Sequence, residues 1–323
     1  DGFKTFYSVP QVEPEEKPAE DHIRTLRKTL EECVTKRLMS DVPLGAFLSG
    51  GIDSSIITAV TRQHIDDLHT FSVGIEGSND LEAARIVSKH LDTIHHEYIL
   101  SPAEIVDKLP EIIYYLESFD QDLVRSAIPC YFTSRLASDY VKVILTGEGA
   151  DELFAGYTYY KDIENFDTLG GELRRSVTAL HNVNLQRVDR MTMAHSIEGR
   201  VPFLDLDMIV LGQLVPANLK LHGNPPVEKW VLRKAFEDML PDEIIWRVKE
   251  QFDEGSGTVD LLTKEIRNRI ARDGSESGLH APDGLNLRSD EERYFYRIFR
   301  DVFKDSDVML NNVARWADRP DFE

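Results

Sequence analysis

The stretch Phe47-Leu48-Ser49-Gly50-Gly51-Ile52-Asp53-Ser54-Ser55 decides how the rest of the chain is read. A short apolar run, Leu44 to Leu48, feeds a Ser-Gly-Gly-x-Asp-Ser turn, and helical patterning follows from Ser54 to Gln63. Two glycines permit a tight turn that leaves backbone N–H groups facing an anion. Ser49 and Ser54 add hydroxyl donors, and the helix adds the positive end of its dipole. This is the pattern of a pyrophosphate-binding loop, against the plainer alternative of an ordinary Gly-Gly turn between strand and helix. It lacks the lysine with which a G-x-x-x-x-G-K-[ST] loop holds β- and γ-phosphates. Asp53 stands instead at the helix start, where a bare phosphate would repel it. A magnesium ion shared between Asp53 and a departing pyrophosphate resolves that conflict, and it places the bond being broken at an α-phosphorus.

Outward from this loop the chain alternates strands and helices. Ile23, Leu26, Leu30, Val34 and Leu38 give Asp21 to Met39 a helical stripe. Leu68 to Ile75 reads as a strand, Asp80 as the cap of a helix carrying Leu81, Ala84, Val87 and Leu91, and His95 to Leu100 as a further strand. A helix from Pro102 to Ser118 follows. Val141 to Leu145 is then a strand that ends in Thr146-Gly147-Glu148-Gly149-Ala150-Asp151-Glu152. The alternation predicts an α/β fold: a parallel twisted sheet with helices on both faces, binding ligands off the carboxyl ends of its strands, with both Gly-rich turns on one edge. From Glu164 onward strand signals fade and a mainly helical portion is expected to close over the cleft, Pro225 to Leu240 being its clearest helix. The expected organisation is a linker over residues 1–20, an α/β core over 21–163 and the helical portion over 164–323, with Asp273 to Asp290 a surface loop.

Composition limits what such a loop can belong to. With 323 residues and 41% hydrophobic content, the chain can bury a large core. A net charge of −20 argues against general nucleic-acid binding, which needs a basic face. No run approaches the roughly 18 apolar residues of a membrane span, and the start, Asp1-Gly2-Phe3-Lys4, has no signal-peptide character, so a cytoplasmic protein is expected. Cys33 and Cys130 read as small buried hydrophobes. His95, His96, His181, His195 and His222 have no metal-ligand spacing and read as structural. Lysine is scarce beside the acid excess, 14 Lys against 23 Arg, as expected of a chain adapted to high salt. The first residue is not methionine, and a fragment of a longer protein is expected.

The second turn makes a resemblance plain. The chain is similar to the synthetase domain of glutamine-dependent asparagine synthetase over nearly its whole length. The residues that carry the likeness are Ser49 to Ser54, Thr146-Gly-Glu-Gly-Ala-Asp-Glu-Leu-Phe-Ala-Gly-Tyr157, Arg187-Val-Asp-Arg190, Glu198-Gly-Arg-Val-Pro-Phe-Leu-Asp205 and Trp246-Arg-Val-Lys-Glu-Gln-Phe252. The first motif alone would identify only the broader ATP pyrophosphatase group, with its adenine nucleotide alpha hydrolase-like fold. The resemblance implies that ATP is the substrate and that the aspartate side-chain carboxylate attacks its α-phosphorus, releasing pyrophosphate. Ammonia then displaces AMP from β-aspartyl-AMP to give asparagine. It further implies that Gly50, Gly51, Ser49, Ser54 and Thr146 cradle pyrophosphate, that Asp53 and Asp151 hold Mg2+, and that Leu48, Val73 and Gly147 surround the adenine. Lys249 and Arg125 would face the phosphates, and Glu148 would be the base that takes the proton from ammonia. An N-terminal glutamine amidotransferase domain is the implied partner, and a homodimer is compatible with the family.

Other readings stand beside these. Glu148, Asp151 and Glu152 could be a solvated acidic turn. Lys249 alone reads as a surface lysine, and Arg125 as an ion-pair partner of Glu117, Asp120 or Asp122. Arg200 and Asp205 read as residues that lock the helical portion against the sheet. Two departures from the family are visible: the amidotransferase domain has no counterpart here, and Asp122 and Leu123 stand where close members carry a threonine pair. A β-lactam-synthetase-like enzyme and a catalytically silent nucleotide-binding module are the alternative functions. Retention of Asp53, Glu148, Asp151 and Lys249 together opposes the silent module.

Overall fold

In the computed structural model, the described residues are 4–248, 256–257, 262–267, 285–304, 306–313 and 315. Strand β1 (Leu44–Phe47) is the axis of a five-stranded parallel sheet. It pairs with β2 (His69–Gly74) on one side and β4 (Val143–Leu145) on the other, in the register Gly45 to His69 and Leu44 to Val143. The outer strands are β3 (Ile94–Ile99), beside β2, and β5 (Glu198–Arg200), beside β4. The order is therefore β3-β2-β1-β4-β5. Chain order runs outward from β1 to β3 and then returns to β4. The crevice between the carboxyl ends of β1 and β4 is the point where strand order reverses, and there the loops leave in opposite directions. This is the α/β class that alternation predicts.

Helices cover both faces because parallel strands need crossovers. On one face lie α1 (Ala19–Lys36) and α2 (Ile52–Arg62), where Leu26, Leu30, Ile56 and Val60 pack into a core shared with Leu232 and Phe236. On the other, α4 (Pro102–Leu116), α5 (Gln121–Ala137) and the connection between them bury Leu109, Ile112, Phe119 and Ile128 against Phe295 and Phe299 of the helix Asp290–Phe303. Each such side chain contributes about 2 kcal/mol when fully withdrawn from water. Cys33 and Cys130 are free and buried, as expected. Among the described residues, no helix is long and apolar enough to cross a membrane.

The structure departs from the sequence expectations at particular places. Helix α3 (Asn79–Leu91) is capped by Ser78, whose hydroxyl accepts from Leu81 N at 3.4 Å; Asp80 is buried and takes Arg247 Nη2 at 2.9 Å. Helix α5 gives no amphipathic signal because residues on most of its faces are buried, and Pro129 lies inside it. Strand β5 is only Glu-Gly-Arg, recognisable by register alone. Pro225 to Leu240 is not one helix. Leu221–His222 and Val227–Glu228 form a small antiparallel ladder around the intervening turn, which leaves only Trp230–Ala235 helical. Arg200 donates to the carbonyl of Met39 at 2.8 Å, and Asp205 takes Arg37 Nη1 at 2.8 Å. These two fasten the end of α1 to the β5 region. Residues 4–18, within the expected linker, carry no helix or strand, though Glu15 N bonds Leu214 O at 2.8 Å. The Asp273 to Asp290 loop lies largely outside the described residues.

His95 ties β3 to β2, its ring bonded to the hydroxyls of Thr70 at 2.9 Å and Ser72 at 3.0 Å. Burial, the largest effect, pushes the imidazole down to about 4 from its ordinary 6.5, and nearby Glu97 only partly offsets it. The unfolded chain therefore takes up this proton first. The contribution of His95 is full above pH 6.5 and declines as pH falls toward 4, by on the order of 2–3 kcal/mol. Urea unfolding of His95→Gln should show a flatter acid limb than the parent between these pH values. An unchanged slope would rule out His95 as its source.

Candidate active site

Two loops leave the carboxyl ends of adjacent strands and face each other across the crevice. The first, Leu48 to Ser54, is held by its own hydroxyls. Ser54 Oγ donates to Gly51 O at 3.1 Å and accepts from Ser49 N at 3.2 Å, while Ser49 Oγ accepts from Gly51 N at 3.3 Å. Gly50 has φ +74°, and a Cβ there would lie 2.4 Å from Ala83 Cβ, so only glycine lets the turn settle against α3. The second loop, Thr146 to Asp151, leads into α6 (Ala150–Phe154). Gly147 presses against the first loop: a Cβ would meet Asp53 Cβ at 2.8 Å. Both turns thus line one cavity of about 510 Å³.

Its charged residues come from distant parts of the chain. Lys229 Nζ is 2.5 Å from Asp53 Oδ2 and 2.5 Å from Asp151 Oδ1. Its side chain is fully buried. Burial alone pushes this ammonium down, but the Asp151 and Asp53 carboxylates more than reverse it, and the lysine stays charged. Asp53 Oδ1 is buried and has no hydrogen-bond partner among the described residues. The carboxylate of Glu148 pairs with Arg187 of α8 (Asn184–Met193). Burial opposes the Arg187 charge, and Glu148 restores it. Below these lies a buried polar cluster in which Glu152 Oε1 accepts from Tyr157 Oη at 2.5 Å and from Asn184 Nδ2 at 3.0 Å. Burial, helped by the Asp151 charge, pushes the Glu152 carboxyl up to about 7.

Of the residues singled out in the sequence, Leu48, Ser49, Gly51, Asp53, Ser54, Val73, Thr146, Gly147, Glu148 and Asp151 all line this cavity, and Gly50 forms the turn between them. Leu48 N–H is taken by Phe71 O at 2.9 Å, and its side chain packs in the core beneath the loop. Arg125 points elsewhere: its guanidinium grips Glu291 through two bonds of 2.8 Å, and it does not line the cavity. Lys249 lies outside the described residues. Asp122 and Leu123 do border the cavity, with Asp122 Oδ2 held by Arg288 Nη1 at 2.8 Å. Sequence reasoning missed Lys229 and gave Arg187 no role. Nothing in Val227-Glu-Lys-Trp230 marks a buried cation, although Arg187 already stood in a motif that carried the resemblance.

The chain belongs to the asparagine synthase family, whose model matches residues 25–170 and 161–307. It is similar to asparagine synthetase [glutamine-hydrolyzing] 1 of Arabidopsis thaliana, at 34% identity over 96% of this chain and 56% of the relative. It is likewise similar to asparagine synthetase B [glutamine-hydrolyzing] of Escherichia coli K12, at 38% identity over 86% of this chain and 53% of the relative. The chain thus spans about half the length of these relatives. A solved structure of NMN synthetase from Francisella tularensis aligns with 84% of this chain and 100% of its own at a TM-score of 0.34 and 12% identity, too loosely to bear on function.

Gly50→Ala should cost about 1–3 kcal/mol, from the left-handed backbone and the contact with Ala83 together. Thermal unfolding checks this. A variant as stable as the parent would show that the turn is not held in this form.

Proposed function

We propose that this chain catalyses ATP-dependent amide synthesis, converting aspartate to asparagine through β-aspartyl-AMP with release of AMP and pyrophosphate. The observation that carries the reading is the meeting of the Ser49–Ser54 loop and the Thr146–Asp151 turn at one cavity, on the switch point of a parallel sheet, in a chain of this family. Pyrophosphate departs with high negative charge, so the reaction needs fixed donors and cations at that group more than a protein nucleophile. The amides of Gly50 and Gly51, the hydroxyls of Ser49 and Ser54 and the N-terminus of α2 supply the donors. Thr146 orders the facing turn, its Oγ1 accepting from Glu148 N at 3.3 Å. Leu48, Val73 and Gly147 border the place assigned to adenine.

The carboxylates of Asp53 and Asp151 fit Mg2+. They are hard oxygen donors already gathered around one cation, and Asp53 Oδ1 is a buried acceptor with no described partner. Mg2+ held there would neutralise charge developing on the leaving pyrophosphate. Glu148 is assigned the proton released as ammonia attacks the adenylate. Arg187 fixes the direction of that carboxylate, so Glu148 meets the incoming nitrogen in one orientation. Lys249, on the family motif, is assigned to the phosphates. Arg125 takes a supporting part through Glu291 in place of direct phosphate contact.

The ammonia is assigned to a glutamine amidotransferase domain in a longer polypeptide; alone, this chain would use free ammonium. A cytoplasmic setting and a homodimer complete the reading. Tyr157–Glu152 is a tyrosine–glutamate pair of the sort used to deprotonate an internal amine, which keeps a β-lactam-forming reaction as the second reading.

AMP release should require aspartate and ammonium together, and glutamine should not replace ammonium. Lys249→Ala should abolish pyrophosphate exchange into ATP. Glu148→Gln should spare that exchange while lowering asparagine formation by about 10²–10⁴-fold. Exchange that persists in Lys249→Ala would remove that lysine from the adenylation step. Exchange driven by a different carboxylate, with a cyclised product by mass spectrometry, would favour the second reading.

A further inference from the structure

Lys229 is held more firmly than an ordinary ion-pair partner. Its backbone has φ +56°, a left-handed conformation that is costly for a residue with a side chain. Its N–H bonds Phe154 O at 3.2 Å, and its carbonyl accepts from Arg233 N at 2.9 Å. Arg233 is itself buried and bonded to Glu228 Oε1 at 2.7 Å, which anchors the short helix that begins after Lys229. The stem of the lysine runs beside Gly156, where a Cβ would lie 2.2 Å from Lys229 Cε and 1.8 Å from Asp151 Oδ1. The fold therefore drives one ammonium into the gap between two carboxylates that belong to opposite loops.

That gap is also where a divalent ion would go. The two carboxylate oxygens share a 2.5 Å contact with Nζ and so lie within about 5 Å of each other. Mg2+ takes oxygens at about 2.0–2.1 Å, so ion and ammonium cannot fill the same space between them. We propose that Lys229 is a resident cation that holds Asp53 and Asp151 together in the empty enzyme and competes with free divalent metal for them. Metal then enters together with nucleotide phosphates, whose negative charge gives the displaced ammonium new partners. Lys229 is thus a positioning residue that sets the order in which metal and nucleotide arrive. This rests on the reading that Asp53 and Asp151 hold metal; it does not depend on which carboxylate is adenylated or which amine accepts.

The test is a Mn2+ titration of the folded protein without nucleotide or amino acid, read by electron paramagnetic resonance of free Mn2+ and by thermal shift. The parent should bind Mn2+ weakly, with a melting temperature nearly indifferent to it. Lys229→Met should melt about 3–8 °C lower without metal, because the two carboxylates lose the cation between them. It should bind Mn2+ at least about tenfold more tightly than the parent and recover melting temperature as the ion binds. Adding Asp53→Asn to Lys229→Met should restore stability without metal and abolish the gain in Mn2+ affinity. Equal Mn2+ affinity in parent and Lys229→Met would overturn the proposal. Should Lys229→Met not fold, the double variant decides: folding supports charge repulsion as the cause, and a second failure to fold overturns it. With no nucleotide present, a failure of asparagine synthesis leaves these outcomes interpretable.

Discussion

Two acidic loops must approach each other closely for the crevice between β1 and β4 to work, and like charge opposes that approach. Asp53 and Asp151 come from turns nearly a hundred residues apart, yet one buried ammonium touches both. Much of the surrounding structure follows from satisfying this constraint. Gly147 allows the loops to touch, Gly156 makes room for the lysine stem, and the ladder before Trp230 delivers Lys229 at the required angle. A second pair, Glu148 with Arg187, repeats the arrangement, with the cation drawn from α8. The site is thus assembled as carboxylates on sheet loops, each answered by a cation from the later, helical half.

That division explains how much could be read from the sequence. The loops carry their chemistry locally. A Ser-Gly-Gly-x-Asp-Ser turn announces its anion site through glycine and hydroxyl placement, and the strand before it announces the sheet. The answering cations are not local. Lys229 lies in a segment that reads as a plain helix, and its burial is visible only once Asp53 and Asp151 have been brought to it. Two other elements were equally silent: α5, buried on most of its faces, shows no amphipathic stripe, and β5 is three residues defined by their neighbour. Arg125, expected at the phosphates from its family position, is bonded to Glu291 in the fold.

The assignment of adenylation rests on different ground from the assignment of aspartate. The proposed cleavage at the α-phosphorus draws on the loop chemistry and on family membership. The aspartate assignment concerns the part of the cavity bordered by Asp122 and Leu123. There Arg288 pairs with Asp122 at 2.8 Å and is shared with Asp120 and Glu292.

The most direct measurement follows oxygen. With ATP, ammonium and aspartate labelled with 18O in its side-chain carboxylate, attack of that carboxylate on the α-phosphorus must leave one labelled oxygen in AMP when ammonia displaces it. Mass spectrometry should find AMP carrying one 18O in step with asparagine formed. Unlabelled AMP, or label in inorganic phosphate beside ADP, would contradict adenylation of aspartate at this site.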